Sequence, residues 1–292
     1  MAEARGDQVR VTRWLQHAEQ LKTATEMHAW DGAWYRRAYF DDGTPLGSAS
    51  NAECRIDSIA QSWSVISGAG ETGRSQRAME SVDQYLIRPG DDLILLFTPP
   101  FDKTQLDPGY IKGYLPGVRE NGGQYTHAAV WCLIAYSMMG KGGQAHDLFK
   151  MINPANRTST RTGMAAYKVE PYAVAADIYA ESPHVRRGGW TWYTGAAGWL
   201  YRAGVEFILG LQVRADKLSL DPCLPPEWRN AKLHYRYGSA MYHINVVNPD
   251  GVSKGVVRVE LDGIAVTDKV VAMFDDGATH TVTVVMGLDK PT

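Results

Sequence analysis

Leu233-His234-Tyr235-Arg236-Tyr237 and Met241-Tyr242-His243-Ile244-Asn245-Val246-Val247 decide how this chain divides. Both alternate or run β-branched and aromatic, which is the habit of strands rather than of helices. The same habit recurs at Leu218-Ser219-Leu220, at Gly255-Val256-Val257-Arg258-Val259-Glu260-Leu261 and over residues 279–285, with turns at Asn248-Pro249-Asp250-Gly251 and Asp275-Asp276-Gly277. Working back toward the N-terminus, the period changes near Gly210. Apolar residues fall at helical spacing over residues 9–24 (Val9, Val11, Trp14, Leu15, Ala18, Leu21), and again over 56–66 and 76–86, where the breaker Gly68-Ala69-Gly70 makes a helical hairpin. Further helices are expected at 124–139, 143–151, 171–179 and 195–209. Residues 30–48 are punctuated by Gly32, Gly43, Pro45 and Gly47 and read as short strands around Asp41-Asp42-Gly43. The fold class is therefore mainly α with a β C-terminus: an α array over residues 1–210, then an antiparallel, β-sandwich-like unit over residues 211–292.

With 292 residues, 45% of them hydrophobic, the chain can bury a large core. A net charge of -2 with acids and bases interspersed argues against nucleic acid as a partner and favours a small or neutral molecule. Cys54, Cys132 and Cys223 are far apart and odd in number, without the spacing of a disulfide framework or a metal site. A reducing, cytoplasmic compartment fits them. Residues 128–139 form the longest apolar run, interrupted by Tyr136 and Ser137, too short to span a bilayer. The N-terminus has no signal-peptide core, and no segment here reads as a direct membrane anchor. No Walker loop, dinucleotide fingerprint or HExxH motif occurs.

Three segments mix aromatics, glycine and hydrogen-bonding groups as a sugar pocket does. In the first, Trp30-Asp31-Gly32-Ala33-Trp34, indole rings around Asp31 would desolvate its carboxyl, and desolvation raises a carboxyl toward the neutrality that a general acid for glycosidic cleavage needs. The plainer alternative is that Asp31 caps a turn. In the second, Arg119-Glu120-Asn121-Gly122-Gly123-Gln124-Tyr125-Thr126-His127, the glycines would let backbone amides approach a ligand. Here Glu120 would hold sugar hydroxyls or act as a base, and His127, near a helix start, would meet an anion or serve as a hydrogen-bonded structural residue. Tyr114 and Arg119 share that loop, whose length over residues 88–123 is itself a mark of function. In the third, residues 188–199, Thr194-Gly195 precedes a helix whose first amides and positive dipole end suit an anion such as phosphate, or form an ordinary cap. Glu170, before Pro171, is a weaker candidate base for a hydrolytic reaction.

Taken in order, these segments resemble the inverting glycoside phosphorylases of glycoside hydrolase family 94. More narrowly, residues 30–47, Ile56-Asp57-Ser58-Ile59-Ala60-Gln61-Ser62-Trp63, Thr98-Pro99-Pro100-Phe101-Asp102-Lys103, Asp107-Pro108-Gly109-Tyr110-Ile111-Lys112-Gly113-Tyr114 and residues 188–202 look like the C-terminal part of the cyclic β-1,2-glucan synthases. The resemblance covers most of the chain from Trp30 onward. It implies that residues 1–210 are the C-terminal portion of an (α/α)6 catalytic barrel and residues 211–292 its β-rich cap, with Leu218-Ser219-Leu220-Asp221-Pro222-Cys223-Leu224-Pro225-Pro226-Glu227-Trp228 at the junction.

It further implies Asp31 as general acid, flanked by Trp30, with His127, Thr194 and Gly195 contacting phosphate and Tyr114, Arg119 and Glu120 in the sugar site. The implied reaction is phosphorolysis of a β-1,2-linked glucan to α-glucose 1-phosphate, with inorganic phosphate as co-substrate and neither metal nor other cofactor. Relatives carry an N-terminal β-sandwich, the first barrel helices and a phosphate-binding arginine ahead of these segments, which residues 1–29 do not supply. The isolated chain is accordingly expected to be inactive or weak, and to stand at the inner membrane only if joined to a full-length synthase.

Overall fold

In the computed structural model, which describes residues 1–288, the helices lie ahead of Leu209 and the long strands follow it. The helices are α1 (Gln8–His28), α2 (Ser58–Ile66), α3 (Thr72–Tyr85), α4 (Thr126–Met138), α5 (Gly142–Ile152), α6 (Pro154–Arg157), α7 (Arg161–Tyr167) and α8 (Ala196–Arg202), the last running on into a π-helical turn over Ala203–Ile208. Among the described residues no helix is long and apolar enough to cross a membrane.

At the centre stands α4. Its sequence is apolar on every side, so it has no face to give to water, and α2, α5 and α8 pack around it. Leu133 and Ile134 are fully buried, each stabilised by about 1.5–3 kcal/mol relative to exposure, and Tyr136 adds a hydrogen bond from its hydroxyl to the Met79 carbonyl of α3 at 2.9 Å. Helix starts are set by carboxylates: Asp57 accepts from the Ile59 amide ahead of α2, and Glu71 from the Gly73 and Arg74 amides ahead of α3. The loop over residues 30–48 is pinned onto α2 by Gln61, which accepts from the Tyr35 amide at 2.8 Å and donates to its carbonyl at 2.9 Å. By contrast α1 buries no residue. Val9, Trp14, Leu15, Leu21 and Met27 are exposed along it, and its C-terminal end is held by Glu26, which accepts from the Tyr35 hydroxyl, the Arg74 guanidinium and the Glu71 amide.

Beyond the helices come β1 (Leu211–Arg214), β2 (Lys217–Leu220), β3 (Asn230–Tyr237), β4 (Ala240–Val247), β5 (Val256–Leu261), β6 (Ile264–Ala265), β7 (Val270–Ala272) and β8 (Thr279–Met286). They form a three-stranded sheet in the order β7-β2-β1 and a five-stranded sheet in the order β3-β4-β8-β5-β6. Alternation sends Tyr242, Ile244 and Val246 of β4 and Val282 and Val284 of β8 inward, where they join the same apolar cluster as Leu133 of α4. One core therefore runs through the helices and the sheets.

Two expectations are corrected. The C-terminal region is not wholly antiparallel: β4 and β8 run parallel, from Met241 opposite Thr279 to Val247 opposite Val285. Residues 171–179 form no helix but a turn that ends in a two-residue strand, Asp177–Ile178. There the Tyr167 hydroxyl donates to the Ala173 carbonyl and accepts from the Ala175 amide, satisfying backbone groups that a helix would have paired internally.

Candidate active site

The site grows from a tight turn. Val118 and Asn121 face each other across it, with the Asn121 amide donating to the Val118 carbonyl at 3.0 Å, and Arg119 takes a left-handed φ of 52°. Asn121, with no exposure, fixes this turn to the preceding loop: its side chain donates to the Tyr114 carbonyl at 2.8 Å and the Phe101 carbonyl at 2.9 Å, and accepts from the Phe101 amide at 2.7 Å. Arg119 is thereby projected between two rings, its guanidinium 5.3 Å from the Tyr114 centroid and 4.8 Å from that of Trp190.

Immediately after the turn, the two-residue strand Gln124–Tyr125 pairs antiparallel with Asp177–Ile178, setting Tyr125 opposite Asp177. The Thr126 amide bonds the Ala176 carbonyl at 2.9 Å, so α4 starts from this ladder and places His127 in its first turn. His127 is half-buried, and burial lowers its pKa, so the ring is more readily neutral than a free imidazole. Its Nε2 meets the end of α8 directly: a Cβ built on Gly195 would lie only 2.9 Å from it. Only glycine at this position leaves the imidazole where it stands. Thr194 precedes it, its hydroxyl accepting from the Ala196 amide at 3.0 Å, while the other first-turn amides have no intrahelical acceptor. An imidazole thus stands beside Gly195 at a helix start that also carries a threonine hydroxyl and free backbone amides, groups whose chemistry suits an oxyanion.

On the other side of Tyr125 lie carboxylates. Glu120 is half-buried, and its Oε2 is enclosed without a hydrogen-bond partner. Asp177 is 1% exposed, its Oδ2 equally unpartnered, while Oδ1 accepts from the Trp190 amide at 3.3 Å. Burial pushes the Asp177 carboxyl upward; the Trp190 amide and Arg119 oppose this, and the charge of Glu120 adds to it. The Tyr125 phenol is raised as well, by burial first and then by Glu120. Enclosed acceptors of this kind are costly until a donor reaches them, and hydroxyl groups are such donors.

The structure therefore brings Tyr114, Arg119, Glu120, His127, Thr194 and Gly195 to one region, and places Trp30 and Asp31 in different settings. Asp31 is held by polar neighbours, its side chain 8% exposed. Arg36 lays its Nε and Nη2 on Oδ1 at 2.8 and 2.5 Å, while the Ser48 hydroxyl and the Ala49 amide donate to Oδ2 at 2.9 and 2.7 Å. These four donors make Asp31 the organiser of the loop over residues 30–49. The Trp30 ring meets Tyr35 edge-on at 5.1 Å and carries the Arg74 guanidinium at 5.1 Å. The glycines after Asn121 also differ from expectation. Both are buried, a Cβ on Gly122 would meet Pro100 at 2.9 Å and one on Gly123 the Gly117 carbonyl at 2.9 Å, so they serve close packing of the chain on itself. Sequence reading missed Asp177 altogether, because it sits in the segment expected to be helical. The signal that would have found it is Gly189, whose Cα presses on that carboxylate so closely that a Cβ would lie 2.3 Å from Oδ1.

Comparison with known proteins shows the family. The family model for the catalytic domain of the glycosyl hydrolase 94 superfamily matches residues 1–210, and that for the C-terminal domain of glycosyl hydrolase family 65 matches residues 211–267. The chain is 52% identical over 258 residues to the cyclic beta-(1,2)-glucan synthase NdvB of Rhizobium meliloti (strain 1021), the match covering 88% of this chain and 9% of the synthase. It is 32% identical over 275 residues to solabiose phosphorylase of Paenibacillus borealis, covering 93% of this chain and 35% of that enzyme. It is likewise 32% identical over 290 residues to N,N'-diacetylchitobiose phosphorylase of Vibrio furnissii, covering 98% and 35%. The chain thus spans about a third or less of the length of these relatives.

Proposed function

The chain belongs to the glycosyl hydrolase 94 superfamily, and on that premise we propose that it carries the phosphate-holding and sugar-holding portion of an inverting phosphorylase site acting on β-1,2-linked glucan. In this reading residues 1–210 are the C-terminal portion of an (α/α)6 barrel and residues 211–292 its cap. The observation that carries it is the close approach of the His127 ring to Gly195 at the start of α8, which sets an imidazole beside a helix end.

Phosphate held by His127, Thr194 and the amides after Gly195 would attack the anomeric carbon from the side opposite the scissile bond. Inversion at a β-linked glucosyl unit then gives α-glucose 1-phosphate. The attacking oxyanion is already charged and needs positioning more than deprotonation, so no second carboxylate has to activate water. His127, easily neutral before the anion enters, would donate to it from the ring and gain a proton in its presence. Tyr114, Arg119 and Glu120 hold the glucosyl unit, the enclosed Glu120 Oε2 accepting from a sugar hydroxyl. Asp31, the general acid of this reading, would protonate the glycosidic oxygen as its bond to the anomeric carbon breaks, while Arg36, Ser48 and Ala49 hold the loop that carries it. Inorganic phosphate is the only co-substrate this scheme requires.

The test is to incubate the chain with β-1,2-linked gluco-oligosaccharides, with and without phosphate, and to titrate it with phosphate alone. Expected are phosphate binding that His127→Ala abolishes, and α-glucose 1-phosphate only where phosphate is present, at a slow rate for this chain by itself. Release of free glucose at the same rate in phosphate-free buffer would favour a hydrolase and overturn the proposal.

A further inference from the structure

We propose that Trp192 and Tyr172 form an outer sugar-stacking ledge, taking a glucosyl unit of a β-glucan chain beyond those at the reacting bond. The inference rests on the glucan-phosphorolysing reading and extends it to substrate length. Large aromatic side chains gain most by burial, yet here Tyr172 is 70%, Trp192 74% and Tyr193 79% exposed, all on the two segments that border the site. They are also ordered with respect to one another. Trp192 and Tyr172 meet edge to face at 6.1 Å, and the Trp192 indole N–H donates to Glu170 at 3.0 Å, which fixes the plane of the ring.

Trp192 holds this attitude from a left-handed backbone, with φ of 64°, a conformation that a bulky residue adopts only when its surroundings impose it. An exposed indole kept in an unfavourable conformation by a hydrogen bond to an exposed carboxylate has no evident role in stability. The ledge is continuous with the site: Trp190, whose ring lies under Arg119, packs on Tyr193 at 5.7 Å, and Thr194 and Gly195 follow directly. A pyranose presents an apolar C–H face that suits an indole and equatorial hydroxyls that suit a carboxylate such as Glu170. That pairing of ring face and acceptor favours a carbohydrate over an apolar protein surface, which would bring Glu170 no donor beyond Trp192.

The experiment is calorimetric titration of the 292-residue chain and of Trp192→Ala and Tyr172→Ala with β-1,2-linked glucose oligomers from two to six units. Affinity of the unaltered chain should rise with length, and either substitution should remove the gain, on the order of five- to ten-fold, while the affinity for the dimer stays unchanged. Retention of the full length dependence by both variants would overturn the ledge and leave the inner site standing; it is also the outcome expected if these rings are covered by protein. Equal loss at every length would likewise overturn it, moving Trp192 into the inner site. Failure of the functional reading looks different, since the unaltered chain would then bind neither short nor long β-1,2 oligomers.

Discussion

Replacing Gly195 by alanine isolates the contact on which the phosphate reading stands. The backbone tolerates the change, since Gly195 has φ of -80° and ψ of -4°, within the right-handed region open to any residue. The added methyl would lie 2.9 Å from His127 Nε2, whereas ordinary contact begins at 3.4 Å, so the ring has to withdraw by 3.4 - 2.9, about 0.5 Å. A hydrogen bond of about 2.9 Å lengthened by that amount falls outside the useful range. Losing a bond to a charged group costs about 1.5–3 kcal/mol, which is roughly a ten- to hundred-fold loss of affinity. Gly198→Ala is the control, because a Cβ there meets nothing within 4 Å. It should leave phosphate binding intact and stabilise the helix by up to about 1 kcal/mol. Phosphate titration of both variants by calorimetry or 31P NMR, alongside urea unfolding, gives the comparison. If Gly195→Ala binds phosphate as the unaltered chain does, or if both variants lose it equally, the assignment of His127 and the start of α8 to one anion site is wrong.

Two further outcomes follow from the structure. Asp31→Asn should lower stability by about 2 kcal/mol, a figure discounted for the partial exposure of Arg36, through a lower urea midpoint at unchanged m value, while phosphate binding persists; unchanged stability would refute the organising role. His280, whose pKa is raised by its hydrogen bond to Asp262 and then by Asp276, should add stability that is fully present below its unfolded pKa and fades as pH rises through the higher folded one. The two aspartates are lowered, so their share is present above their unfolded pKa and fades as pH falls through the folded values. His280→Asn should therefore cost most in weakly acidic buffer and least above neutrality, read from thermal unfolding against pH.

Much of the fold was legible because it is written in period. The apolar run that becomes most of α4, and the alternation that becomes β4 and β8, each state their own local structure. Alternation carries no sign for direction, however, and so the parallel pairing of β4 with β8 was out of reach. The segment before Asp177 misled for a different reason: a proline entry followed by small apolar residues reads as a helix start, yet the Tyr167 hydroxyl takes up its backbone groups instead. At the site, legibility followed chain distance. His127 and the residues around Thr194 carry local cues in the helices they begin. The partners of Asp31 lie five residues away in Arg36 and a whole loop away in Ser48 and Ala49, and no spacing rule announces such a cluster.

The two-residue ladder that sets Tyr125 opposite Asp177 bears on how this chain acquires its site. The turn bearing Arg119 and Glu120 and the segment bearing Trp190 to Gly195 are distant in sequence, with α4, α5, α6 and α7 between them, and such non-local joins form late in folding because the intervening loop must first be closed. An anion held between His127, which follows that turn, and the start of α8 binds only chains in which that closure has occurred. Phosphate would then act as a ligand for the finished fold, raising its apparent stability in proportion to the logarithm of its concentration.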